Sequence, residues 1–199
     1  MKSNICKIEN GTKDLAAILK ECEKVAVYNE LTSRQALHLR LICEELDGML
    51  PNIIDTFNGE LWIELEGGIC KVNVSLKFDE FTAEKKAELV AIAKNKKNAA
   101  AVGIVGKIRS AIENVFLNED AIRGFEIASS SMHYSTEYYD HRDYSEFWSL
   151  GQYRSSVKSA DKAEEWDELE KSVIASVADD VIVGVKGKQA DIIIIKKFA

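Results

Sequence analysis

The chain has 199 residues, with 26 Lys and Arg against 33 Asp and Glu and a formal net charge of −7, a balance that argues against general affinity for nucleic acid or an anionic membrane. Hydrophobic residues make up 46% and charged residues 30%, the proportions of an ordinary globular protein with room for one large domain. No apolar run approaches the roughly 20 residues of a membrane span, and the opening MKSNICKIEN has no apolar signal core, so a cytoplasmic protein is expected.

Residues 3–8 (SNICKI) read as a short strand, and NGTKD at 10–14 as a turn into a helix over about 13–29. A second helix has a clear start signal. Thr32 and Gln35 have capping-box spacing, so a hydroxyl and an amide can satisfy orphan backbone donors reciprocally. From there Leu39, Ile42, Leu46, Met49, Leu50 and Ile53 recur at helical spacing and mark one buried stripe. Pro51 is the single proline of the chain and should kink or end this helix unless it falls near its terminus. With so few breakers, most of the chain should be regular structure.

The next stretch, GELWIELEGGICKVNVSLKF at 59–78, alternates apolar and polar residues on both sides of Gly67-Gly68. That pattern predicts a β-hairpin with one face buried and the other charged or solvated. Thr82 can cap a helix running to about 94, and KNKKNAAAVGIVGKIRSAIENVF (94–116) is a basic, small-residue stretch leading into another. A Trp/Tyr-rich segment follows, then a helix over roughly 162–178. The ending DVIVGVKGKQADIIIIKKF holds two β-branched runs around a turn containing Gly187. Their near-continuous apolar character predicts central strands covered on at least one face. The order predicts an α+β fold: a two-layer sandwich, its mixed, mostly antiparallel sheet covered on one face by helices.

Cys6, Cys22, Cys43 and Cys70 are far apart and form no C-x-x-C pair. Each lies in an apolar-patterned segment where a reduced cysteine behaves as a small hydrophobe, so neither a disulfide framework nor a zinc knuckle is expected.

The sharpest chemical signal is LICEELDGML, residues 41–50, where Glu44 and Glu45 precede Gly48 by about one turn. With the Leu46 stripe buried, Glu44 and Gly48 fall on the opposite face, one above the other. A glycine inside a helix costs roughly 1 kcal/mol relative to alanine. This is either a solvated face with a tolerated glycine or the remnant of a catalytic box.

A long helix carrying a Glu, a hairpin, and a late helix followed by two terminal strands resemble the layout of the gyrase/chaperone/histidine-kinase/MutL (GHKL) ATPase superfamily. The nearest branch is the anti-sigma-factor serine kinases. The likeness is carried by RLICEEL, by the 59–78 hairpin and by DELEKSVIASVADDVIVGVKGKQADIIIIKKF, covering about residues 33–78 and 162–198. It implies a single histidine-kinase-like ATPase domain over 1–199, with an aromatic-rich insertion at about 125–160.

In that family the helix bears E-x-x-x-N, the Glu serving as general base and the Asn as a magnesium ligand. The resemblance makes Glu44 the catalytic acid-base residue, but puts Gly48, which has no oxygen ligand for a hard cation, at the Asn position. Asp79 is the one residue placed to hold the adenine amino group, without the family's accompanying glycines. Gly103 and Gly106, with Lys107 and Arg109 just beyond, are either a remnant of the glycine-rich lid on the ATP phosphates or a close helix-packing stretch. What the likeness implies is an ATP-binding regulatory protein with a degenerate Mg2+/ATP site. If active, it is a serine protein kinase or ATPase, and its partner is a sigma factor or an antagonist-like regulatory protein; a homodimer is expected of the interaction-module alternative. The alternative is a nucleotide-free interaction module, a pseudo-ATPase acting through the aromatic insertion.

Residues 133–153 hold five of the six tyrosines and two of the three histidines. Tyr138, Tyr139, Tyr144, Phe147 and Trp148 make either a contact surface or a self-packed flap. Their Glu and Asp neighbours disfavour nucleic-acid stacking. His133, Asp140, His141 and Asp143 offer suitable metal-ligand types, but in no established spacing, so no metal ligand is assigned.

Overall fold

A computed structural model describes residues 1–9, 15–54, 56–77, 103–117, 146–159, 163–186 and 188–198. In chain order its elements are β1 (Cys6–Glu9), α1 (Leu15–Tyr28), α2 (Ser33–Ile53), β2 (Asn58–Glu66), β3 (Ile69–Lys77), α3 (Gly103–Leu117), β4 (Glu146–Ser149), α4 (Leu150–Ser159), α5 (Ala163–Glu170), α6 (Val173–Val177), β5 (Asp180–Lys186) and β6 (Gln189–Lys197). The strands form one six-stranded sheet in the order β1-β2-β3-β6-β5-β4. All five pairings are antiparallel, so the mixed sheet expected from sequence is corrected to an antiparallel one among the described residues. The terminal runs are interior strands because each finds a partner on both sides.

Local chemistry accounts for most boundaries. The Thr32 hydroxyl accepts the Gln35 N–H at 3.4 Å while the Gln35 amide oxygen accepts the Thr32 N–H at 2.9 Å, completing the capping box of α2. Pro51 lies in the last turn of α2, where a missing N–H costs little helix beyond it. The turn residues Gly67 and Gly68 have φ of 55° and 79°, the two left-handed positions that a two-residue hairpin needs and that glycine adopts without steric penalty. At the end of α1 the Leu31 N–H reaches the Ala26 carbonyl at 2.9 Å and the Glu30 N–H reaches that of Val27 at 3.2 Å. This closes a Schellman-type cap with a non-glycine residue, Glu30 (φ 52°), in the left-handed position.

The helix expected over 162–178 is two helices. Ser172 caps α6 by accepting the Ala175 N–H at 3.3 Å, and a serine in that role competes with continuation of the preceding helix. The first strand is likewise displaced, to Cys6–Glu9. Between the Lys2↔Glu64 bridge and the Cys6↔Leu61 pair, the N-terminal segment carries one residue more than β2, a β-bulge. Ser3 mends it. Its hydroxyl accepts the Ile63 N–H at 2.9 Å and donates to the Asn4 carbonyl at 2.8 Å.

One core joins the layers. Ile18, Cys22 and Val25 of α1, Leu39, Ile42, Leu46 and Leu50 of α2, and Ile104, Ile108 and Ile112 of α3 pack with alternate strand residues such as Leu61, Ile63, Val72, Val74, Val183 and Ile192. The described helices therefore share the core with one strand face, the arrangement of a two-layer α+β sandwich. The other face of the hairpin carries Glu60, Glu64, Lys71 and Lys77, yet Asn73 there is buried. Beside it Ile182, Ile193 and Ile195 form a second, small apolar cluster, so this face is only partly the solvated surface expected. Among the described residues no helix is long and apolar enough to cross a membrane.

The segments expected to hold the Thr82 helix, Asp79 and the aromatic stretch through Tyr144, with His133, Asp140, His141 and Asp143, lie outside the described residues. The end of the expected insertion is part of the fold: β4 pairs with β5, Trp148 facing Val183 in register, and α4 follows directly.

Candidate functional site

The buried stripe of α2 turns its opposite face outward. On that face Arg40, Glu44, Gly48 and Asn52 follow one another at intervals of four residues, which stacks them along one line of the helix. The Arg40 Nε donates to Glu44 Oε1 at 2.9 Å, and the Glu44 side chain is 35% exposed. An exposed pair of this kind stabilises a helix by only about 0.3–0.5 kcal/mol, so its main effect is to fix where the carboxylate points and to set a positive charge against it.

Gly48 is exposed, and a Cβ built there meets no atom within 4 Å. No close packing requires glycine at this position. One turn on, the Asn52 Nδ2 donates to the Gly48 carbonyl at 3.2 Å. From α3, the Arg109 Nη1 donates to the Asn52 carbonyl at 3.4 Å. The structure thus brings the Glu44–Gly48 line of α2 and the helix begun by Gly103 against each other through Asn52 and Arg109. Asn52 was not singled out from sequence, and Arg109 was placed only as a basic residue just beyond the Gly103–Gly106 stretch. The signal available for Asn52 was its four-residue step from Gly48.

Gly103 is the first residue of α3, and Gly106 is buried within it. The Gly-Ile-Val-Gly stretch is helix, not a glycine-rich loop. Lys107 holds its ammonium 5.0 Å from the centre of the Tyr153 ring of α4, a cation–π contact. Gly151, the other glycine near a helix start, has its amide engaged: its N–H donates to Asp180 Oδ1 at 2.9 Å. That carboxylate occupies the place an anion would take and would repel a phosphate.

A separate groove of about 260 Å³ runs past Lys7, Glu9, Glu60, Ser75 and Lys77. It includes none of the residues assigned from sequence, and its two lysines are matched by two glutamates. Among the described residues no group of three or more His, Cys, Asp or Glu has the geometry to hold a metal ion. An amide or carboxylate oxygen from the Glu44 line would therefore need waters or phosphate oxygens to complete a magnesium shell, which is the usual mode for that ion. No family model matches the chain, and neither a curated protein nor a solved structure does.

Proposed function

We propose that the chain is a nucleotide-binding regulatory domain resembling the GHKL anti-sigma-factor serine kinases, with a degenerate magnesium site that binds better than it turns over. The supporting observation is the Asn52–Arg109 contact, which sets the Glu44 helix beside the helix begun by Gly103. In this reading Glu44 is the residual base, Asp79 the adenine contact, and the start of α3 at Gly103 with Lys107 the phosphate side, Gly106 being buried inside the helix. Asn52 supplies the amide oxygen that Gly48 lacks.

Phosphoryl transfer depends on positioning and on charge neutralisation by metal. Arg40 already neutralises Glu44, and Gly48 brings no ligand, so both changes reduce turnover more than binding. The protein partner in this reading is a sigma factor or an antagonist-like regulator.

The test is a thermal-shift titration with ATP and ADP, with and without magnesium. A ligand at 100 times its Kd adds about 2.7 kcal/mol to stability, an easily read shift that Asp79→Asn should abolish. A shift that is independent of magnesium identifies a nucleotide sensor without turnover. No shift at millimolar nucleotide sinks the proposal and leaves the interaction module.

A further inference from the structure

The sheet ends in two edge strands, β1 and β4. Among the described residues β1 has one strand neighbour, β2, with Cys6 opposite Leu61, Lys7 opposite Glu60, Ile8 opposite Gly59 and Glu9 opposite Asn58. An edge of this kind presents backbone donors and acceptors on which a further strand can pair. Burial alternates along β1. Cys6 and Ile8 are 8% and 4% exposed in the helix-covered core, whereas Lys7 and Glu9 are exposed and stand on the opposite face. Upstream, the bulge at Ser3–Ile5 takes the chain out of strand geometry, which limits pairing to Cys6–Glu9.

We propose that β1 pairs antiparallel with β1 of a second copy of this chain about a two-fold axis at Ile8, so that the two six-stranded sheets run into one. Parity and charge select this register. Directly opposed residues of an antiparallel pair share a face, and a slip by one residue would turn Ile8 against charged side chains. Among the registers that parity allows, an axis at Cys6 needs the bulged residues. An axis at Lys7 sets that lysine against itself, and an axis at Glu9 does the same to the glutamate; like charges directly opposed are destabilising. An axis at Ile8 places Lys7 opposite the partner's Glu9 and Glu9 opposite the partner's Lys7. The row crossing the seam then alternates in sign, from Glu60 through Lys7 to the partner's Glu9.

The match is isologous, one surface meeting itself, so a single strand supplies two attractive crossings. A charge that guards an edge does so by meeting its own kind in a second copy; the opposite signs that flank Ile8 do the reverse. The other edge has no such match. β4 reads EFWS with one charge, and the chain turns from it straight into α4. Neither Lys7 nor Glu9 belongs to the nucleotide site proposed above, and the pairing does not rest on that reading.

Sedimentation velocity of the intact protein, without nucleotide and from low to high micromolar concentration, reads the association. The wild type is expected to pass from monomer to dimer. Lys7→Glu and Glu9→Lys each turn both crossings from attraction to repulsion, so each alone should weaken the dimer by roughly tenfold or more. An equimolar mixture of the two variants should recover it, because opposite charges again face each other at both crossings of the mixed pair. Circular dichroism checks that each variant is folded, since Lys7 also faces Glu60 within the chain. If one is not, hydrogen exchange of the wild type decides, the amides of β1 slowing as concentration rises. A wild type that stays monomeric overturns the proposal and leaves the edge to a foreign strand. Single variants that dimerise like wild type, a mixture of folded variants that stays monomeric, or β1 exchange that ignores concentration overturn it as well.

Discussion

Gly48→Ala isolates the cost of the glycine in α2 from any role it has in binding. The position is exposed and helical, and an added Cβ has no atom within 4 Å, so no overpacking opposes the change. Alanine exceeds glycine in a helix interior by about 0.8–1.0 kcal/mol. Because residue 48 is five residues from the end of α2 at Ile53, where helices fray, about 0.5–1 kcal/mol is expected. The Asn52 bond is to the residue-48 carbonyl and survives the substitution. For a chain of this length 1 kcal/mol moves Tm by roughly 2–4 °C, so the variant should melt about 1–4 °C higher in calorimetry or circular dichroism. A lower Tm would refute the reasoning, since it would mean that residue 48 needs the freedom of glycine. Gly48→Asn is the paired variant. Asparagine ranks near glycine in helix propensity, so stability should stay within about 0.5 kcal/mol while an amide oxygen is restored on the Glu44 line. A magnesium-dependent rise in nucleotide affinity is expected by titration calorimetry, and an unchanged affinity would remove Gly48 from the site.

Three further outcomes follow from the packing. Glu30 holds a left-handed φ of 52°, so Glu30→Gly should stabilise the protein by up to about 1 kcal/mol, read as a higher urea midpoint; a loss would mean that the Glu30 side chain outweighs its backbone strain. At Gly59 a Cβ would sit 2.7 Å from the Ser75 carbonyl oxygen and 2.8 Å from Leu76 Cδ2. Gly59→Ala should therefore destabilise by about 1–3 kcal/mol, and wild-type stability would disprove the close approach of β2 and β3. The Glu21 carboxyl is held below its usual range by the Lys24 ammonium, against an opposing desolvation, with help from the Asn4 side chain and N–H. Its folded value is depressed, so its contribution is present above the unfolded value of about 4.5 and is lost as pH falls through the folded one. Glu21→Gln should accordingly flatten the stability profile below about pH 4.5, and superimposable acid limbs for the two proteins would contradict the assignment.

Rules that act over a few residues made much of this fold legible. The Thr32–Gln35 box starts α2, the Leu39-to-Ile53 stripe names its buried face, and Gly67-Gly68 sets the hairpin register, because hydrogen-bond reach and side-chain period are local quantities. The terminal apolar runs announced interior strands for the same reason: a strand with a partner on each side and cover over it carries few polar residues. Glu44 and Gly48 could be placed on one face from spacing alone.

What spacing could not supply was everything that depends on a second element. The bulge at Ser3–Ile5 exists only because β2 lies alongside, and its repair by the Ser3 hydroxyl is a contact across about 60 positions. The Asp180 carboxylate reaches the Gly151 amide from 29 residues away and so decides that this helix start is already filled. Arg109 meets Asn52 across 57 residues, which sets α3 against the end of the α2 face that carries Glu44 and Gly48. The cysteines looked like four scattered small hydrophobes, and hydrophobicity is all that their local patterns report. That all four end up buried in one core cluster was decided by the packing of α1 and α2 over the sheet. Local sequence sets which face of each element is apolar; only the assembled core sets which residues of those faces meet.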